Sequence, residues 1–228
     1  MHSTKKNLQV LHEDNHIIVV NKRAGDLTQG DKTGDKTLSD AVKEYIKEKY
    51  NKPSNVFLGT VHRLDRPTTG IVIYARTSKA LERLNKMLRD KSIKKTYWAI
   101  VQNQPEKPTD TLINYLKKNP KNNKSSVFNK EIEGSKKAIL EYKTLKQLNH
   151  YWLLEIDLKT GRHHQIRAQL SNINSIIKGD LKYGAKRSNK DGSIHLHARK
   201  IEFTHPVSKL PLKIIAPTPD DPIWNACL

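Results

Sequence analysis

Asp65 stands between two arginines in the stretch Val61-His62-Arg63-Leu64-Asp65-Arg66-Pro67-Thr68-Thr69-Gly70-Ile71. Pro67 and Gly70 mark a turn, and the apolar run that follows reads as a buried strand. Cations on both sides keep a carboxylate ionised. An ionised, positioned Asp can act as a nucleophile or a general base. An ion-paired surface turn has the same composition, so chemistry alone leaves both readings open. A second dense stretch is Lys159-Thr160-Gly161-Arg162-His163-His164-Gln165-Ile166-Arg167. Gly161 can make a tight turn, a helix start offers free N–H groups to an anion, and Arg162 and Arg167 suit phosphate or carboxylate. A helix beginning at His163 puts His163 and Arg167 on one face, four residues apart. A solvated basic helix start is the alternative.

The histidines raise the question of a metal. His163 and His164 are adjacent, and His195 and His197 share one face of a strand. No HExxH or comparable ligand set accompanies them, so no metal is expected, and they read as structural or nucleic-acid-contacting. Tyr97 and Trp98 follow Lys94 and Lys95 on a strand, with one ring facing the core and the other the opposite side. An aromatic beside lysines can stack a nucleobase. Taken alone, core packing is the better reading for either ring.

These residues need elements to hold them. Ile17–Val20 and Ile71–Ala75 are β-branched runs that predict buried strands. The tandem GDKT at Gly30–Thr37 lacks the Lys that a phosphate loop has directly after its second Gly, and reads as a surface loop. Leu38, Ala41, Val42, Tyr45 and Ile46 give a helix over Leu38–Tyr50, capped by Thr37 or Ser39. Leu81, Leu84 and Leu88 give a second over Ser78–Asp90, with Ser78 as its cap. Thr96–Gln102, Ala138–Leu148, Tyr151–Leu158, Ile194–Phe203 and Leu212–Ile215 read as strands, and His163–Ile173 as a short helix. The apolar-free Lys117–Ser126 reads as a loop. The pattern suits a mixed α/β or α+β chain with a largely antiparallel sheet. No break in composition suggests a second domain, so residues 1–228 read as one.

Composition narrows the class. The chain has 228 residues and a net charge of +19, which points to a polyanionic partner, most simply nucleic acid. Only ten of the 42 basic residues are Arg, so a lysine-rich background accounts for part of that charge. The single cysteine, Cys227, excludes an internal disulfide and a cysteine zinc site. The stretch MHSTKKNLQVLHED has no apolar core, and no apolar run approaches membrane length, so a cytoplasmic protein without signal peptide or membrane span is expected. With no heptad pattern or exposed apolar stripe evident, the default expectation is a monomer.

In this order, the stretches resemble the RluA family of RNA pseudouridine synthases over about His12–Pro217. The resemblance rests on HEDNHIIVVNKRAG (His12–Gly25), HRLDRPTTG (His62–Gly70), KKTYWAIV (Lys94–Val101), LKTGRHHQIR (Leu158–Arg167), IKGDLKYGA (Ile177–Ala185) and HLHARKIEFTHP (His195–Pro206). Arg23 stands where the opening motif usually has Pro, and Thr69 where the catalytic motif usually has Ser. The accessory S4 RNA-binding domain of many relatives is not expected here. The resemblance implies the pseudouridine synthase core, a sheet bisected by a catalytic cleft. It also implies conversion of uridine to pseudouridine in a stem or loop of ribosomal or transfer RNA, with no cofactor and no metal. Asp65 would be the essential carboxylate, Arg167 its partner, and Tyr97 would lie against the target uracil, which reverses the core-first reading of that ring. His62, Arg63, Thr69, Lys95, Arg162, His164 and Gln165 would contact substrate or RNA, with Arg63 filling the gap left by the flipped base. A non-catalytic RNA-binding module or RNA chaperone with the same basic surface is the alternative.

Overall fold

The computed structural model describes residues 2–30 and 34–228. In chain order the elements are β1 (Val10–Glu13), β2 (Ile17–Lys22), α1 (Leu38–Lys49), β3 (Gly59–Thr60), β4 (Thr69–Ala75), α2 (Ser78–Arg89), β5 (Lys94–Val101), β6 (Thr109–Asn119), β7 (Lys124–Phe128), β8 (Lys136–Gln147), β9 (Trp152–Leu158), α3 (Gln165–Asn172), a 3-10 turn (Leu181–Tyr183), β10 (Leu196–Thr204), β11 (Pro211–Ile215) and α4 (Pro222–Asn225). The strands pair mostly antiparallel, in the mixed α/β arrangement that the pattern predicts. Among the described residues no helix is long and apolar enough to cross a membrane. The chain divides into two compact units, residues 1–93 with 198–219, and residues 94–197 with 220–228.

In the first unit, the fully buried β2 lies between β1 and β4, and β4 lies between β2 and β10. The two apolar runs Ile17–Val20 and Ile71–Ala75 are thus adjacent, antiparallel strands. Helix α1 sets Leu38, Val42 and Ile46 onto Ile18, Val20, Val72 and Tyr74, which is what their spacing along one helical face requires. Thr37 caps α1 through a reciprocal capping box with Asp40. Helix α2 is capped by Thr77, one residue earlier than expected, because the Thr77 hydroxyl accepts from the Ala80 N–H. Of the Gly30–Thr37 loop, residues 31–33 lie outside the described residues.

In the second unit, the order is β5-β9-β8-β6-β7, antiparallel throughout. Ala168 of α3 packs with Leu116, Ala138 and Tyr183 on one side of it, and Trp224 and Cys227 cover Ile100 and Leu153. Lys117–Ser126 is not a loop: it forms the end of β6, a turn and the start of β7, in register Lys118 opposite Ser125. Side-chain amides build that turn. Asn119 and Asn122 accept from the N–H groups of Lys121 and Lys124, and Asn123 takes a left-handed conformation. Asn tolerates that conformation well, so a hairpin closed by polar residues carries no apolar signal.

Candidate active site

The Asp65 turn belongs to the first unit. Leu64 packs against the α1 core and anchors the residue before Asp65. The hydroxyl of Thr28, itself buried, donates to the Leu64 carbonyl and accepts from the Leu64 N–H, both at 3.2 Å. After Asp65, the chain turns with the Thr68 N–H on the Asp65 carbonyl at 3.0 Å. Lys22 closes the arrangement from beneath. It is 1% exposed, and its Nζ donates to the carbonyls of Arg23 (3.0 Å), Arg66 (3.0 Å) and Thr68 (2.7 Å). Burial pushes the Lys22 pKa down to about 8, against the attraction of Asp26 and Asp65. Gly70 is required at its position, since its φ is +112° and a Cβ would meet the Ala198 carbonyl oxygen at 2.4 Å.

The predicted residues of this turn fall into two groups. Arg63 is exposed and makes no hydrogen bond or ion pair among the described residues. Asp65 is part-exposed beside it. His62 is turned inward, where its Nε2 accepts from the Ile73 N–H at 3.3 Å, and Thr69 is buried at the start of β4. Arg23 reaches the Asn7 carbonyl at 3.1 Å and so ties the N-terminal segment to this loop.

The other predicted residues lie in the second unit. Arg167 is 5% exposed on α3, and its guanidinium is gripped by Asp180, with Nε on Oδ2 at 2.7 Å and Nη2 on Oδ1 at 2.8 Å. The Tyr183 ring lies beneath it, 5.1 Å from the guanidinium carbon. A fork bound along one edge has a fixed plane and a fixed direction. Asp180 and Tyr183 lie in the stretch IKGDLKYGA, where nothing in the local sequence marks them as partners of Arg167. Helix α3 starts at Gln165, two residues later than expected. His164 is its cap residue in a left-handed conformation (φ 52°), so His163 lies outside the helix and does not share a face with Arg167. The left-handed residue in the turn from strand to helix is His164, and the φ of Gly161 is not positive.

Around Arg167 the loop is tightly bonded. Gln165 accepts from the Thr160 hydroxyl and the Arg162 N–H, and donates to the Ile139 carbonyl and to Gln169. These bonds occupy both ends of its amide inside the unit. Ser125 of β7 bonds both the ring and the carbonyl of His163, and Tyr183 Oη lies 3.1 Å from His164 Nδ1. Arg162 is exposed, with Nε on the Lys137 carbonyl. Tyr97 is 7% exposed on β5 opposite Ile156. Lys95 is half-buried near Gly161 and has no hydrogen-bond partner among the described residues; burial lowers its pKa below the usual lysine value. His195 and His197 are buried, and among the described residues no group of three His, Cys, Asp or Glu could hold a metal ion.

A family profile described as RNA pseudouridylate synthase matches residues 16–172, a span that includes Asp65, Tyr97 and Arg167. The chain is 32% identical over 217 residues to an uncharacterized RNA pseudouridine synthase of Synechocystis, covering 93% of this chain and 66% of that protein. It is 31% identical over 229 residues to ribosomal large subunit pseudouridine synthase D of Xylella fastidiosa (94% and 67% covered). With tRNA pseudouridine synthase C of Salmonella typhimurium the identity is 30% over 227 residues (92% and 85%). The chain thus spans about two thirds of the length of the first two of these relatives. Among solved structures, human RNA pseudouridylate synthase domain containing 4 superposes with a TM-score of 0.79 at 22% identity, covering 96% of this chain and 92% of that one. Human RNA pseudouridylate synthase domain containing 1 gives 0.77 at 20%, covering 100% and 90%. At those identities the likeness concerns the fold.

Proposed function

The chain belongs to the RNA pseudouridylate synthase family, and on that premise we propose that it isomerises specific uridines of structured ribosomal or transfer RNA to pseudouridine. The reaction breaks the N1–C1′ bond, turns the base, and joins C5 to C1′. Substrate and product hold the same atoms at the same oxidation level, so the conversion needs no redox partner. The observation that carries the proposal is the Asp65 turn, a part-exposed carboxylate on a backbone pinned from both sides, within the segment that matches the family.

Asp65 is the reacting carboxylate, and Arg167 is the charged partner group of the proposed catalytic set. Tyr97 lies against the uracil and serves the closing proton transfer. Arg63, exposed and without a hydrogen-bond or ion-pair partner among the described residues, suits the gap left by a flipped base. Lys95 and Arg162 suit phosphate contacts. The inward bonds of His62 and Gln165, and the burial of Thr69 and His164, support a role in holding the two loops in place of direct RNA contact. The proposal extends to residues 1–228 working as one catalytic domain in a cytoplasmic monomer, which sedimentation of the purified protein checks.

RNA carrying tritium at uracil C5 tests the activity. Wild-type protein is expected to release tritium, and Asp65→Asn to release none. No release from total RNA of a strain lacking the protein overturns the proposal. Full release by Asp65→Asn leaves the non-catalytic RNA-binding reading.

A further inference from the structure

The buried His195 has a use that the reaction does not explain. Its Nδ1 lies 2.9 Å from Asn189 Nδ2, and its Nε2 lies 3.1 Å from Asp221 Oδ1. An amide nitrogen only donates, so Nδ1 accepts and Nε2 carries the proton toward Asp221. Burial lowers the pKa of this imidazole, against the opposing hydrogen bond to Asp221. Asp221 is itself fixed, because Oδ1 caps α4 through the N–H groups of Ile223 and Trp224, and the Trp224 ring stacks on His195 at 5.3 Å.

The other end of the line reaches Arg167. Asn189 Oδ1 accepts from Lys178 Nζ at 2.6 Å, and the Asn189 amide rests on the backbone of Gly179. Gly179 has a φ of +87°, and a Cβ there would lie 2.9 Å from the amide, so another residue would be strained and would displace Asn189. The next residue is Asp180, whose carboxylate carries both bonds to Arg167. His195 also fixes Lys178 through its N–H on the Lys178 carbonyl at 2.9 Å. All of these residues belong to the second unit.

We propose that Asp221, His195 and Asn189 form a positioning line that runs from the C-terminal helix to the Gly179–Asp180 turn and sets the direction of the Arg167 guanidinium. The line rests on the reading of Arg167 as part of the catalytic machinery. It makes the C-terminal segment a strut for the site, although that segment supplies no reacting group. The three residues are positioning residues, and each acts through Asp180.

Steady-state pseudouridine formation and the Arg167 Nε–H resonance in a nitrogen-15 spectrum test it together. In Asn189→Ala and Asp221→Ala, kcat is expected to fall about tenfold with KM for the RNA unchanged, because small misplacements of a catalytic group cost factors of this order. The Arg167 resonance is expected to move in both. Asp221→Asn keeps an acceptor for His195 Nε2 and is expected to restore kcat and the resonance. Val42→Ala, in the core of the first unit, is expected to lower Tm with kcat and resonance unchanged. Wild-type kcat and an unmoved resonance in Asn189→Ala and Asp221→Ala overturn the line. So does a loss of kcat that only follows Tm, as a merely structural role predicts. If the wild type forms no pseudouridine, the proposed activity fails, while the resonance still reports on the line.

Discussion

The turn that carries Asp65 is gripped at its backbone, and Arg167 is gripped at its head. Thr28 grips the peptide groups of Leu64, and Lys22 grips the carbonyls of Arg23, Arg66 and Thr68. Around Arg167 the bonds go to the guanidinium, through Asp180 along one edge and Tyr183 beneath. The chemistry of the side chains explains the difference. An Asp carboxylate sits two bonds from its Cα, so fixing the peptide on either side nearly fixes the charge. An Arg head lies at the end of a long chain whose rotamer freedom is worth about 2 kcal/mol, and only contacts at the head remove it. Damage to the first set of contacts is therefore expected to appear as lost stability, and damage to the second as lost rate.

The strongest break is in the group itself. Asp65→Asn keeps the size of the side chain and removes the charge, and pseudouridine formation is expected to fall by at least about 10³-fold. A large fall in Tm would mean that the carboxylate, and not only the backbone, holds the turn.

Next in size is Lys22. Its pKa is about 8 in the folded chain against an ordinary 10.5. Below pH 8 the lysine is charged in both states and the cost of burying that charge is fully present. Between about 8 and 10.5 the unfolded chain holds a proton that the folded chain has released. Stability from this group therefore rises with pH across that window, by about 3 kcal/mol. Lys22→Met is expected to lose that rise, which denaturant unfolding at a series of pH values checks as a difference from wild type. Its kcat at neutral pH is expected to fall far less than in Asp65→Asn, because Thr28 still grips the other side of the turn. A kcat as low as that of Asp65→Asn would dissolve the distinction between the two halves.

Arg167→Lys probes the other half. An ammonium cannot reproduce two parallel bonds to Asp180, so kcat is expected to fall by about 10²-fold with RNA binding retained. Single-turnover rates at saturating protein, beside RNA affinity by filter binding, separate the two effects.

The two halves also differed in how far the sequence revealed them. The Asp65 turn was legible because its punctuation is local: Pro67, Gly70 and the strand Ile71–Ala75 lie within a few residues of the carboxylate. Helix α1 was legible for the same reason, its cap and its apolar face lying within one segment. Arg167 was visible as a cation, but its grip was not, because Asp180 lies in a later loop and only the folded chain brings the two within 2.7 Å. Lys22 lies two residues beyond the apolar run Ile17–Val20, at the end of the buried β2, yet one lysine among so many carries little signal. The β6–β7 hairpin was missed because its turn is made by Asn side chains, and its outward lysines mimic a solvated loop.

Thr28 gives the finest separation. Its hydroxyl serves both the N–H and the carbonyl of Leu64, and Val replaces it at nearly the same volume. Thr28→Val removes a donor and an acceptor beside buried backbone groups, which costs about 1–2 kcal/mol. Lys22 still grips the far side of the turn, so Asp65 keeps its place while Leu64 loosens. The expected result is a lower midpoint in urea, with kcat within about threefold of wild type, since an unmoved group loses little of its rate. If kcat instead fell as far as in Arg167→Lys while the urea midpoint stayed put, the Thr28 bonds would be steering the carboxylate itself. The contrast between a held backbone and a held side chain would then no longer describe the two halves.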